Sequence, residues 1–233
     1  MMKAPALVAE IQTLFSSLKD ETKAAQMEAY LRGQFKFLGI TTPLRRDAIK
    51  HLKKMSLSDS ELLKCMQALW MLPEREYKYA AIDLLAYQFK QRDLSLVPHL
   101  LEMAQIAPWW ETIDGLCAVI GDMLRHAKTQ DTNAQTLMDE VLTHESLWIR
   151  RIAMTHQLGW RLETDTERLF SYAEQLAPEE DFFIRKAIGW ALRDYARWNP
   201  KAVQKFLADT PQDFSPLSLR EARKHLPASE KVS

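Results

Sequence analysis

Trp110 and Asp114 stand four residues apart in the segment Pro108-Trp109-Trp110-Glu111-Thr112-Ile113-Asp114, a spacing that sets both side chains on one face of a helix. An electron-rich ring beside a carboxylate suits a cationic ligand, or a transition state that gains positive charge. Trp190 and Arg193 repeat the pairing of ring and charge at a three-residue spacing. Other chemistries have less support. Cys65 and Cys117 sit in apolar helical patterns without ligand spacing, and His126, His144 and His156 form no ligand set. No glycine-rich phosphate loop is present, so neither a metal nor a cofactor is expected.

These residues need a scaffold, and the composition points to helix. The 233 residues include only six glycines, 47% hydrophobic and 27% charged residues, and long Ala/Leu/Glu/Lys/Arg-rich stretches favour an all-α fold. No run approaches the roughly 20 apolar residues needed to span a bilayer. No secretory pattern stands at the start, and a cytoplasmic, reducing setting is expected. The net charge is zero, with 31 basic and 31 acidic residues, which argues against a generic polyanion binder unless the charges are segregated. Basic pairs do recur, at Arg45/Arg46, Lys53/Lys54, Arg150/Arg151, Arg185/Lys186 and Arg223/Lys224. Each pair taken alone reads equally well as solvated helix surface.

Four segments share an aromatic start followed by polar and then small apolar positions. They are Tyr77-Lys78-Tyr79-Ala80-Ala81, Trp109-Trp110-Glu111-Thr112-Ile113, Trp148-Ile149-Arg150-Arg151-Ile152-Ala153 and Phe183-Ile184-Arg185-Lys186-Ala187-Ile188, at intervals of 32, 39 and 35 residues. That interval fits two helices and two short loops. Partner helices are expected over Leu94–Gln105, Asn133–Leu142, Glu163–Leu176 and Pro200–Ala208. Breakers fall between them, at Thr42-Pro43, Leu72-Pro73, Ala107-Pro108, Ala177-Pro178, Asn199-Pro200 and Thr210-Pro211. No Gly/Ser linker divides the chain. A single domain over residues 1–233 is expected, a curved α-solenoid of helical repeats whose concave face gathers Lys78, Trp110, Asp114, Arg151, Lys186, Trp190 and Arg193. Several cations, two tryptophans and a carboxylate in one groove suit a phosphate backbone around a reactive sugar or base.

Assembled in order, the segments resemble the AlkD-type DNA glycosylases of the DNA alkylation repair family, which are built from HEAT-like repeats. The resemblance runs from Gln34-Phe35-Lys36-Phe37-Leu38-Gly39-Ile40 through Leu69-Trp70-Met71-Leu72-Pro73, the Trp109–Asp114 segment, Leu147–Arg151 and Phe182–Ala196 to Leu217–His225. It implies that Trp110, Asp114 and Trp190 are the catalytic residues. It also implies that Arg151 holds a phosphate and that Tyr30, Arg46 and Arg193 line the DNA-binding groove; Lys186 joins them through the repeat pattern.

The implied reaction is hydrolysis of the N-glycosidic bond of a cationic alkylpurine, N3-methyladenine or N7-methylguanine, in duplex DNA. It leaves an abasic site without flipping the base into a pocket, and bulky adducts are conceivable substrates. The implied partner is double-stranded DNA carrying alkylated bases, with no obligate protein partner and a monomeric enzyme. Two other readings stay open: a DNA-binding repeat protein that recognises distorted or branched DNA and cuts nothing, and a protein-interaction scaffold. Trp70, Trp148 and Trp160 are read as core.

Overall fold

The computed structural model describes residues 3–129, 131, 133–210 and 213–226. Among these residues the fold is all-α, with thirteen α-helices, short 3-10 turns and a single isolated bridge between Lys36 and Glu74. The chain divides into two compact units, Met1–Ile106 and Ala107–Ser233.

The first unit contains α1 (Ala4–Ser16), α2 (Glu21–Tyr30), α3 (Thr42–Ala48), α4 (Asp59–Trp70), α5 (Arg75–Gln88) and α6 (Val97–Ala104). Helix α1 buries Leu7, Ile11 and Phe15, one residue per turn, and packs on α4, which buries Leu62, Cys65, Met66, Leu69 and Trp70. This is the stripe that an amphipathic helix turns inward. Phe15 stacks on Tyr77 of α5 with ring centroids 5.5 Å apart.

Helix α5 is fastened at its start to the loop before α3. The fully buried Glu76 carboxylate accepts the N–H groups of Leu38, Gly39 and Ile40 at 3.0, 2.8 and 3.0 Å. Three donors on two oxygens supply the partners that a buried anion requires. Gly39 stands at φ +85°, with the backbone of Asp20 and Ala24 against it, so a side chain has neither the conformation nor the room.

The second unit contains α7 (Trp110–Ala127), α8 (Thr136–Glu140), α9 (Leu147–Thr155), α10 (Thr166–Leu176), α11 (Phe182–Ala196), α12 (Pro200–Asp209) and α13 (Pro216–Ala222). The aromatic-led segments open α7, α9 and α11, as Tyr77 does near the start of α5, and the helices between them fall where the repeat requires. Asp165, Asp181, Asn199 and Ser215 cap α10, α11, α12 and α13 by accepting backbone N–H groups. At the Thr42-Pro43 breaker, Thr41 precedes α3, Thr42 opens it, and the Thr41 side chain makes no capping bond. Pro211 of the Thr210-Pro211 breaker lies outside the described residues.

Two glycines let the helices of this unit approach closely. A Cβ on Gly121 of α7 would stand 2.1 Å from the carbonyl oxygen of His156, just past α9. A Cβ on Gly189 of α11 would stand 2.5 Å from Glu221 Cβ and 2.8 Å from Ser218 O of α13. Gly189 thereby lets α11 pack directly against α13, and α11 also packs against α9. Trp160 is core, as its setting in the sequence suggests, and so is Trp70 in the first unit; Trp148 is only partly buried.

Candidate active site

Helices α7, α9, α11 and α13 surround a cleft of about 270 Å³ in the second unit, lined by Trp110, Asp114, Arg151, Phe182, Phe183, Lys186, Trp190, Arg193 and Glu221. Trp110 is the first residue of α7 and Asp114 lies one turn on, so the sequence pair does share a face. Phe183, Lys186, Trp190 and Arg193 recur at three- and four-residue steps along α11, which places them on one stripe facing the same cleft. The structure thus brings together Trp110, Asp114, Arg151, Lys186, Trp190 and Arg193.

Asp114 and Arg151 form a two-pronged ion pair, Nε to Oδ1 and Nη2 to Oδ2, both at 2.8 Å. The third arm of the guanidinium, Nη1, donates to the Phe183 carbonyl at 2.7 Å. Planar fork geometry of this kind fixes orientation as well as charge. Both side chains line the cleft, with that of Asp114 the more open at 18% exposed against 6% for Arg151. Trp190 lies beside the guanidinium, its ring centroid 5.9 Å from Cζ. Each Asp114 oxygen accepts one bond from Arg151, and an ionised carboxylate has about four acceptor sites. The ion pair therefore leaves acceptor capacity on both oxygens.

At the other side of the cleft, Glu221 of α13 accepts Lys186 Nζ at 2.9 Å and Arg193 Nη1 at 2.5 Å, with Lys224 Nζ at 2.9 and 2.8 Å from its two oxygens. The ammonium groups of Lys224 and Lys186 hold the Glu221 carboxyl down at about 2. Beside the cleft, Trp109, Trp148 and Phe183 form a cluster with centroid separations of 4.9 to 5.9 Å. Phe182 stays largely exposed.

Sequence reasoning missed Phe182, Phe183 and Glu221. The signal lay in segments already singled out, Phe182-Phe183 opening one and Glu221 standing between Arg220 and Arg223-Lys224.

The remaining expected residues belong to the first unit. Tyr30 is 73% exposed at the end of α2. Arg46 is 60% exposed and its Nε bonds Asp83 Oδ1 at 3.0 Å, while the neighbouring Arg45 is buried against the other Asp83 oxygen. Arg45 is therefore not surface. Lys78 needs a firmer correction: it is buried, donates to the Trp70 carbonyl and lies over the Trp70 ring, so it does not face a partner. Among the described residues no cluster of His, Cys, Asp and Glu is arranged to hold a metal. Burial pushes both the Cys65 and Cys117 thiols up to about 12, which leaves them poor nucleophiles. No helix among the described residues is long and apolar enough to cross a membrane.

Residues 11–226 match the model of the DNA alkylation repair enzyme family. The chain belongs to this family. A protein described as a predicted DNA alkylation repair enzyme from Enterococcus faecalis shares 31% identity, with 91% of this chain and 98% of that one covered and a TM-score of 0.83. Two Streptococcus mutans proteins share the fold at 17% identity. AlkD2 has a TM-score of 0.65 over 88% of this chain and 100% of its own, and smu.31 has a TM-score of 0.61 over 79% and 96%. No curated protein sequence matches the chain. The cleft built by α7, α9, α11 and α13 thus lies in a member of the DNA alkylation repair enzyme family.

Proposed function

We propose that this DNA alkylation repair enzyme is a monofunctional glycosylase that hydrolyses the N-glycosidic bond of cationic alkylpurines in duplex DNA. The observation that carries the reading is the carboxylate of Asp114, fixed by Arg151 in a cleft that Trp110, Trp190, Lys186 and Arg193 also line. A base methylated at N3 of adenine or N7 of guanine already carries a positive charge. When the C1′–N bond breaks, its electron pair neutralises the base, and no proton donor is needed. Positive charge moves to C1′ and the ring oxygen of the sugar, an oxocarbenium-like species. Water then adds to C1′ and gives up a proton, leaving an abasic site.

Asp114 stabilises the sugar cation and accepts a hydrogen bond from the attacking water through the acceptor sites that Arg151 leaves open. Such stabilisation by a fixed group in a partly desolvated site amounts to about 3–4 kcal/mol, by analogy with an oxyanion-hole donor. Trp110 and Trp190 hold the sugar by its apolar faces, and their π-systems contribute about 0.5–2 kcal/mol each towards a nearby cation. Lys186 and Arg193 take flanking phosphates. Arg151 fixes the carboxylate and offers its two remaining N–H bonds to a phosphate. Tyr30 and Arg46 of the first unit are further DNA contacts in this reading.

The test is single-turnover release of 7-methylguanine from a duplex oligonucleotide at fixed salt. Wild-type protein is expected to release the base, and Asp114→Asn to release it about 100- to 1000-fold more slowly while still binding the duplex. Wild-type protein that binds this duplex and releases nothing would establish a non-catalytic DNA-binding protein instead.

A further inference from the structure

We propose that Glu221 is a positioning residue of the cleft: it holds Lys186 and Arg193 where flanking phosphates must lie, giving up affinity for undamaged DNA in return for alignment. The inference rests on the glycosylase reading of the same site.

Three cations share this one carboxylate, Lys186 and Lys224 on Oε1, Arg193 and Lys224 on Oε2. The Glu221 side chain is 6% exposed, whereas those of Arg193, Lys186 and Lys224 are 21, 38 and 47% exposed. The anion therefore lies beneath and the cations lean over it, with N–H groups left for a ligand on the outer side. Lysine has three donors and arginine five, so one contact to Glu221 does not exhaust either. Like charges gathered this closely repel one another, and long side chains lose conformational freedom when ordered. Glu221 opposes both effects. Its place is set by the fold, because α13 lies against α11 at Gly189, where no Cβ fits, and the Ser218 hydroxyl donates to the Arg185 carbonyl at 2.9 Å.

The same carboxylate cancels one of three positive charges at the rim. Removing it has two opposite effects: the rim gains a net positive charge, which favours any phosphate backbone, and Lys186 and Arg193 lose their shared anchor. A residue that only held α13 in place would lower binding and chemistry together.

The experiment compares wild type with Glu221→Gln. An undamaged duplex reports affinity across salt, and a duplex bearing one 7-methylguanine reports release at saturating protein. The expected result is a split. Affinity for undamaged duplex rises several-fold with a salt slope steeper by about 0.9, one further phosphate contact, while release slows about ten-fold or more through misalignment. Parallel losses in both, or wild-type values in both, overturn the proposal. If the glutamine variant does not fold, Glu221→Asp decides the matter, since it keeps the charge and shortens its reach by one methylene. Slower release with retained affinity supports positioning, and wild-type release overturns it. A wild type that releases nothing, whether or not it binds, sinks the glycosylase reading itself. A wild type active on the lesion, with Glu221→Gln matching it, sinks only the role of Glu221.

Discussion

Asp114 and Arg151 lie 37 positions apart in the chain and meet across α7 and α9 as a parallel two-bond ion pair, each contact 2.8 Å. The pair makes the proposed catalytic carboxylate a fixed group. It also gives Arg151 a task other than gripping DNA, because three of its five N–H bonds point at Asp114 and the Phe183 carbonyl.

Arg151→Lys separates the two tasks. A lysine keeps the charge but is a point donor that cannot hold both carboxylate oxygens in a plane. Release of 7-methylguanine at saturating protein is expected to fall about ten-fold or more, with duplex affinity close to wild type. Unchanged release with weakened binding would leave Arg151 as a phosphate contact only.

Gly121→Ala tests what brings the pair together. The new Cβ has no room beside the His156 carbonyl, and the obstacle is backbone, so α7 and the end of α9 must separate. Overpacking of this kind costs roughly 1–3 kcal/mol, and each kcal/mol lowers Tm by about 2–4 °C in a chain of this size. A calorimetric scan is expected to show that loss, accompanied by slower base release because Asp114 and Arg151 sit on the same two helices. A Tm equal to wild type would mean that the helices tolerate the methyl.

The helical faces that build the cleft were readable in advance, because they depend on neighbours within one helix. Trp110 and Asp114 lie one turn apart, and Lys186, Trp190 and Arg193 follow the helical period. Partners between helices were not readable. Nothing local to Asp114 indicates that Arg151 will pair with it, and nothing local to Lys186 indicates Glu221, 35 residues later. The same limit explains Lys78, whose position in an aromatic-led segment resembles that of a rim cation, although its ammonium satisfies a buried carbonyl of α4. Arg45 and Arg46 are adjacent in sequence, yet the shared Asp83 buries one and leaves the other exposed.

Glu76→Gln probes the first unit without touching the cleft. The shape is preserved, but one carboxylate oxygen becomes an NH2 group that faces the N–H of Leu38 or of Gly39 and Ile40, donor against donor. An unsatisfied buried group costs roughly 1–3 kcal/mol. Urea unfolding is expected to show a lower midpoint, with base release per folded molecule unchanged. Wild-type stability would indicate that the loop rearranges freely around the amide.

His156 makes stability depend on mildly acidic pH. Its ring is buried, with Nδ1 2.6 Å from the Ala153 carbonyl and Nε2 2.8 Å from the Gln135 side chain. Burial pushes its pKa down from 6.5 to about 4. The structure sets Gln135 Oε1 against Nε2, so a neutral ring that donates from Nδ1 to the Ala153 carbonyl satisfies both contacts once the Gln135 amide is turned to donate its N–H to Nε2. Below pH 6.5 the unfolded chain takes up a proton that the folded ring refuses, so this contribution to stability is full above 6.5 and is lost as pH falls through about 4. The loss amounts to roughly 3 kcal/mol. Replacing the ring by His156→Gln should cost stability at pH 7.5 and progressively less towards pH 4.5, measured as the difference in urea unfolding free energy between the two proteins. A difference that stays constant over that range would show that His156 accepts its proton equally well in both states, and the buried neutral ring would be ruled out.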